Sequence, residues 1–85
     1  MTVEAFVGIK VGIGWFYGEP QAKLRGIKEQ VQKIPGVKSV YGVFGRYDLI
    51  ALVEAETMND LANTVIDRIR EIPNVQSTET LIVSF

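Results

Sequence analysis

The chain repeats its own punctuation, and that restricts its fold more than any other feature. KIPGVKSV (33–40) and EIPNVQST (71–78) stand 38 positions apart, and at the same spacing Ile27 matches Val65 and Val31 matches Ile69. The apolar runs ahead of them, EAFVGIKV (4–11) and DLIALVEA (48–55), stand 44 apart. The difference, 44 − 38 = 6 residues, falls in GIGWFYGEP, between the first strand and the first helix. Each half therefore reads as strand, helix, strand, and the crossover in such a unit is right-handed.

The helical segments carry their own signals. Met58, Leu61, Val65, Ile69 and Ile72 step by 3, 4, 4 and 3, the stripe of a helix with one buried face. Thr57 with Asp60 three residues on resembles a capping box, and Pro73 ends the helix because the residue before a proline avoids helical backbone. Leu24, Ile27, Val31 and Ile34 form the stripe of the earlier helix. Pro20 suits its first turn and Pro35-Gly36 stops it. Gly26 sits inside it at a cost of about 1 kcal/mol relative to alanine. The expected order is β1 (3–11), α1 (20–34), β2 (37–44), β3 (48–55), α2 (57–72) and β4 (75–84). The short β2–β3 connection around Gly45-Arg46 predicts a hairpin. Two interlocked β-α-β units give a single α+β domain over residues 1–85, of ferredoxin-like βαββαβ topology. Its four-stranded sheet is antiparallel, with β1 and β3 central and both helices on one face.

One strand strains this arrangement. Leu49, Ile50, Ala51, Leu52 and Val53 are apolar without a break, whereas a strand with one wet face alternates. The helices shelter one side of that run and nothing in the chain is left for the other, where Phe6 and Gly8 of β1 also belong. On β4, Leu81, Val83 and Phe85 alternate with Thr80, Ile82 and Ser84. A chain of 85 residues without cysteine has no disulfides to compensate for a small core. A second copy packed on the open face supplies the missing burial.

Charge and residue types remove several classes. A net charge of −1 and a pI near 5.3 do not provide the basic surface that nucleic-acid domains concentrate on one face. MTVEAFVGIK lacks the basic n-region and long apolar run of a signal peptide, and no apolar stretch reaches membrane-spanning length. The expectation is a soluble, cytoplasmic protein. With no histidine and no cysteine, the usual zinc and haem ligands are missing, and no cofactor is expected.

The hairpin turn carries Gly45, Arg46, Tyr47 and Asp48. A glycine there can take positive φ and leave neighbouring N–H groups pointing outward, the beginnings of an anion nest. Asp48 places a carboxylate beside it, so the pair can hold a zwitterion, with Tyr47 as a wall or a hydroxyl. Each residue also has an ordinary reading: aspartate satisfying its own turn, a solvated arginine, a tyrosine favoured in strands.

YGVFGRYDLIALVEA followed by IREIPNVQSTETLIVSF resembles the effector-binding (RAM) module of the Lrp/AsnC family. The likeness rests on the G-x-Y-D turn, the IPxV step before each outer strand and the closing TETLIV, and spans nearly the whole chain. It implies dimers joined through their sheets as a dimeric α/β barrel, assembling further, commonly as a ring of four dimers, with small amino acids bound between dimers. It implies ligand contacts at Gly45, Arg46, Tyr47 and Asp48, with Gln76, Thr78 and Thr80 as neighbours on the last strand. Members of the family usually carry an N-terminal helix-turn-helix, whereas this chain begins at β1. The expectation is a stand-alone module that senses a ligand and modulates a full-length Lrp/AsnC regulator by co-assembly, without binding DNA itself. Trp15, Phe16 and Tyr17 either cover the monomer's own core edge or plug a pocket. Other readings of the same topology are a small dimeric α/β-barrel enzyme, a structural subunit and an ACT-type module paired edge to edge. Against catalysis stand the missing histidine and the lack of obviously converging carboxylates.

Overall fold

The computed structural model describes residues 2–12 and 20–85, so the Trp15-Phe16-Tyr17 expectation lies outside the described residues. The elements are β1 (Val3–Val11), α1 (Pro20–Gln32), β2 (Val37–Gly42), β3 (Leu49–Ala55), a second helix α2, and β4 (Val75–Ile82). The strand order is β2-β3-β1-β4 and every ladder is antiparallel, as the doubled β-α-β pattern requires. β2 and β4 each end two residues earlier than expected.

The helix α2 differs from the uniform cylinder its stripe suggests. It starts as Met58–Asp60, widens into a π-helical segment at Leu61–Ile66, and resumes as Asp67–Glu71. The Asp67 N–H donates to the Ala62 carbonyl five residues back. Leu61 and Val65 nevertheless both reach the core. At the N-terminus the Thr57 hydroxyl accepts from the Asp60 N–H at 3.0 Å, the cap read from the sequence.

The core lies between the helices and one face of the sheet. Ala5, Val7, Ile9 and Val11 of β1 meet Leu49, Ala51 and Val53 of β3 beneath Ile27, Val31 and Ile34 and beneath Leu61, Val65 and Ile69. No residue of β4 is fully buried. The unbroken run in β3 thus serves two environments, because its alternate members Ile50 and Leu52 point away from the helices.

The IPxV repeats are the same device built twice. Gly36 and Asn74 both have positive φ, 98° and 76°. Val37 and Val75 donate to the carbonyls of Ile34 and Ile72, at 3.1 and 3.2 Å. The carbonyl of Gly36 accepts from Glu54 N, and that of Asn74 from Gly12 N, each at 2.8 Å. Each turn thereby fastens a helix end to a neighbouring strand. Glycine and asparagine are the residues that visit this region at least cost. A Cβ at position 36 would stand 2.8 Å from Val65 Cγ2 and 2.9 Å from the Glu54 carbonyl oxygen, whereas Asn74 is exposed.

Gly26 has no such reason to be glycine, since a Cβ there meets nothing within 4 Å. Gly26→Ala is expected to stabilise the domain by about 0.5–1 kcal/mol. That corresponds to a melting temperature raised by roughly 3–6 °C in differential scanning calorimetry.

On the face away from the helices, register aligns Ser39, Leu52, Phe6 and Leu81 in one row across all four strands, and Tyr41 beside Ile50 in the next. Phe6, Leu81 and Tyr41 are 42%, 54% and 56% exposed. No described element covers this face. Along its other border Glu4 pairs with Glu54 across the β1–β3 ladder, and Lys38 Nζ lies 3.8 and 3.4 Å from their carboxylates. Two carboxylates therefore do converge, contrary to the sequence expectation, because register sets them opposite each other. They sit on an open face with a shared lysine between them.

Candidate functional site

One hydrogen bond closes the β2–β3 turn and two tie it to the end of β1. Val43 N donates to the Asp48 carbonyl at 3.0 Å and Asp48 N to the Ile9 carbonyl at 2.9 Å. Val11 N donates to Asp48 Oδ2 at 2.9 Å. The carboxylate thus extends the ladder one step beyond the point where the backbone of β3 turns away. This differs from aspartate capping its own turn: Asp48 holds a neighbouring strand and has its second oxygen left over. Gly45 has φ of 141°, the region the turn was expected to need. Among the described residues, no protein acceptor takes the N–H of Gly45 or Arg46, and both residues are exposed.

Tyr47 lies flat on the outer face of the sheet over Gly8. A Cβ on Gly8 would come within 2.8–2.9 Å of three ring atoms, so the ring takes the space a side chain would fill. Asp48 also lines a cleft of about 300 Å³ between the turn and α1, with Leu24, Val43 and Leu49 as apolar walls and Arg25 and Lys28 as cations.

The three residues implicated on β4 lie elsewhere. Gln76 and Thr78 line a polar notch of about 370 Å³ with Arg70, Val75 and Ser77. Thr80 borders an apolar groove of about 310 Å³ beside Met58, Leu61, Ala62, Ile66 and Ile82. Thr78 pairs with Ile9 and Thr80 with Val7, so both threonines face the helices while Tyr47 faces the other way. β1 separates the turn from the notch, and two interstrand spacings amount to about 10 Å. Within one chain, then, the turn is split, with Tyr47 on the outer face over Gly8 and Asp48 in the cleft toward α1, while Gln76 and Thr78 share the notch and Thr80 stands apart.

The notch owes its shape to a register break. Lys10 pairs with Ser77 and Val11 with Val75, leaving Gln76 as the extra residue of a bulge. Bulges bend the strand and re-aim a side chain. Arg70 was not evident from the sequence, where it reads as one more solvated charge on α2. The usable signal was the tight IPNV reversal, which folds the start of β4 back beside the last turn of the helix. Among the described residues, no three of Asp, Glu, His and Cys are grouped to hold a metal, and no helix is long and apolar enough to cross a membrane.

Four antiparallel strands in this order under one layer of helices define a ferredoxin-like α+β module, with its polar clefts gathered at the end of the sheet where β1 terminates. The chain belongs to the Lrp/AsnC ligand binding domain family, whose family model matches residues 4–84. It is similar to the crystal structure of FFRP-DM1, with 35% identity and a TM-score of 0.79 over 96% of this chain and 99% of that one. It is 40% identical over 58 residues to an uncharacterised HTH-type transcriptional regulator of Pyrococcus abyssi. That match covers 68% of this chain but only 39% of the regulator. Homocitrate synthase of Sulfurisphaera tokodaii matches at 33% identity over 82 residues, 96% of this chain and 16% of the enzyme.

Proposed function

We propose that the chain is a ligand-responsive regulatory module that dimerises through its open sheet face and binds small amino acids between dimers. In this reading it passes occupancy to a larger regulator by mixed assembly. The observation that carries the reading is the division of the site. The family resemblance assigns the turn and the β4 residues to one site, yet β1 stands between them in a single chain. Two copies meeting at this end of the sheet bring the turn of one to the notch of the other. A ligand completed by both copies favours the assembled state by its difference in affinity between the two states and no more.

At the turn the free N–H groups take the ligand's carboxylate and the spare oxygen of Asp48 its ammonium. The partner to be modulated is a regulator of the kind to which the relatives are assigned. The homocitrate synthase match adds an enzyme as a second kind of chain in which such a module is found.

Native mass spectrometry and thermal melting with a panel of the common amino acids test this reading. At least one amino acid is expected to shift the population toward larger assemblies and to raise the melting temperature. Asp48→Asn retains an acceptor for Val11 N–H, so its ligand-free stability should fall by no more than about 1 kcal/mol. It loses the charge, and with it roughly 10–150-fold in ligand affinity, the worth of a charge-assisted hydrogen bond of about 1.5–3 kcal/mol. No change in mass or melting with any amino acid would sink the proposal.

A further inference from the structure

From the composition of the Arg70 notch we infer that the ligand bound there carries a second carboxylate, and hence that the module responds to an acidic amino acid. This rests on the reading above, in which the turn holds the ligand's α-carboxylate and ammonium. What remains is the ligand's side chain, and the notch is where it goes.

Of the five described residues lining the notch, Arg70, Gln76, Ser77 and Thr78 offer hydrogen-bond donors, and Val75 is apolar. No carboxylate is among them. Arg70 forms no ion pair with the described carboxylates nearest in sequence, Asp67 and Glu71, nor with Glu79 on the adjoining strand. Among the described residues the guanidinium is therefore an uncompensated charge beside hydroxyls and an amide. Its planar fork matches a carboxylate through two parallel hydrogen bonds. A leucine or isoleucine side chain placed here would desolvate those donors without replacing their bonds. A carboxamide would satisfy some donors and leave the charge unanswered.

The bulge supports the same assignment. Gln76 is the unpaired extra residue between Val75 and Ser77, and bulges recur next to binding sites because they free a side chain from the ladder. Its side-chain oxygen lies 3.5 Å from the position a Cβ would take on Gly12, which places the amide beside the end of β1. The notch thus opens at the same end of the sheet as the turn that a neighbouring copy would present.

Calorimetric titration of the full chain with glutamate, aspartate, glutamine, leucine and glutarate tests the inference, on the wild type and on Arg70→Met and Arg70→Lys. Glutamate or aspartate is expected to bind at least tenfold more tightly than glutamine or leucine. Arg70→Met should abolish that preference with its ligand-free melting temperature within about 2 °C of wild type, and Arg70→Lys should keep part of it. A role confined to the helix end, where a cation complements the helix dipole, would move the melting temperature but not the ranking of ligands. Glutamine or leucine binding as tightly as glutamate, or a preference unchanged in Arg70→Met, overturns the inference. Glutarate bound in an Arg70-dependent manner while no amino acid binds would uphold the notch as a carboxylate site and overturn the amino-acid reading. Failure of all five ligands to bind overturns the inference, and failure of the whole amino-acid panel overturns the reading beneath it.

Discussion

Gly36→Ala is expected to lower the melting temperature by at least 10 °C, whereas Asn74→Gly, at the matching position of the second repeat, should change it by only a few degrees. Both residues have positive φ, and an alanine there costs about 1–2 kcal/mol in backbone strain. At position 36 the added Cβ also meets Val65 Cγ2 at 2.8 Å and the Glu54 carbonyl oxygen at 2.9 Å. The methyl of Val65 can shift, but the carbonyl belongs to β3 and moves only with the sheet. Crowding of this kind adds about 1–3 kcal/mol, for a total near 2–5 kcal/mol. A domain of 85 residues has only about 4–13 kcal/mol in all, and each kcal/mol is worth roughly 4–8 °C at this size. Asn74 is exposed and already in the favoured asparagine conformation, so replacing it with glycine exchanges one tolerant residue for another. Circular-dichroism melts of the two variants check the contrast. Equal losses would mean that the turns are equivalent and that the crowding at Gly36 has no consequence.

The second large effect concerns assembly. Phe6→Asp is expected to convert the proposed dimer to monomer without unfolding it. Phe6 is half exposed in the single chain, in the centre of the row formed with Ser39, Leu52 and Leu81, so the core beneath is untouched. Across a two-fold interface each substitution counts twice. At about 2–4 kcal/mol per aromatic anchor, the loss is about 4–8 kcal/mol, or roughly 10³–10⁶-fold in dissociation constant. The new carboxylate also adds to the border where Glu4 and Glu54 share Lys38. Analytical ultracentrifugation at micromolar concentration distinguishes the outcomes. A Phe6→Asp protein that remains a dimer would place the contact at a strand edge, the ACT-type alternative, and remove the open face from the functional argument.

The two predictions show which parts of this molecule can be read from its residues. The order of elements, the central β1 and β3, the helix stripes and the Thr57 cap were all legible, because each is set by periodicity or by a local preference for one backbone shape. The positive φ at Gly36 and Asn74 follows from the same short-range chemistry, since an IP step stops a helix and the next residue must reverse the chain. Contacts that depend on register were not legible. Glu4 meets Glu54 because two strands align in one way and not two residues over, and Arg70 and Gln76 line one notch where a bulge interrupts the ladder. The π-helical segment at Leu61–Ile66 leaves the apolar spacing of α2 close to that of an ordinary helix, so the stripe conceals it. For the candidate site, the hairpin turn was legible, but the sequence could not tell that Tyr47 and Asp48 face opposite sides of the sheet or that β1 stands between the turn and Gln76.

The position of β4 has a consequence for signalling. This strand sits at the margin of the sheet with no fully buried residue, so it is held chiefly by its ladder to β1 and can fray while the rest of the domain stays folded. Gln76 and Thr78 ride on that marginal strand, and a ligand gripping them would add to the contacts that hold it. Occupancy can then be reported as a change in stiffness at the rim, with the interior left as it was.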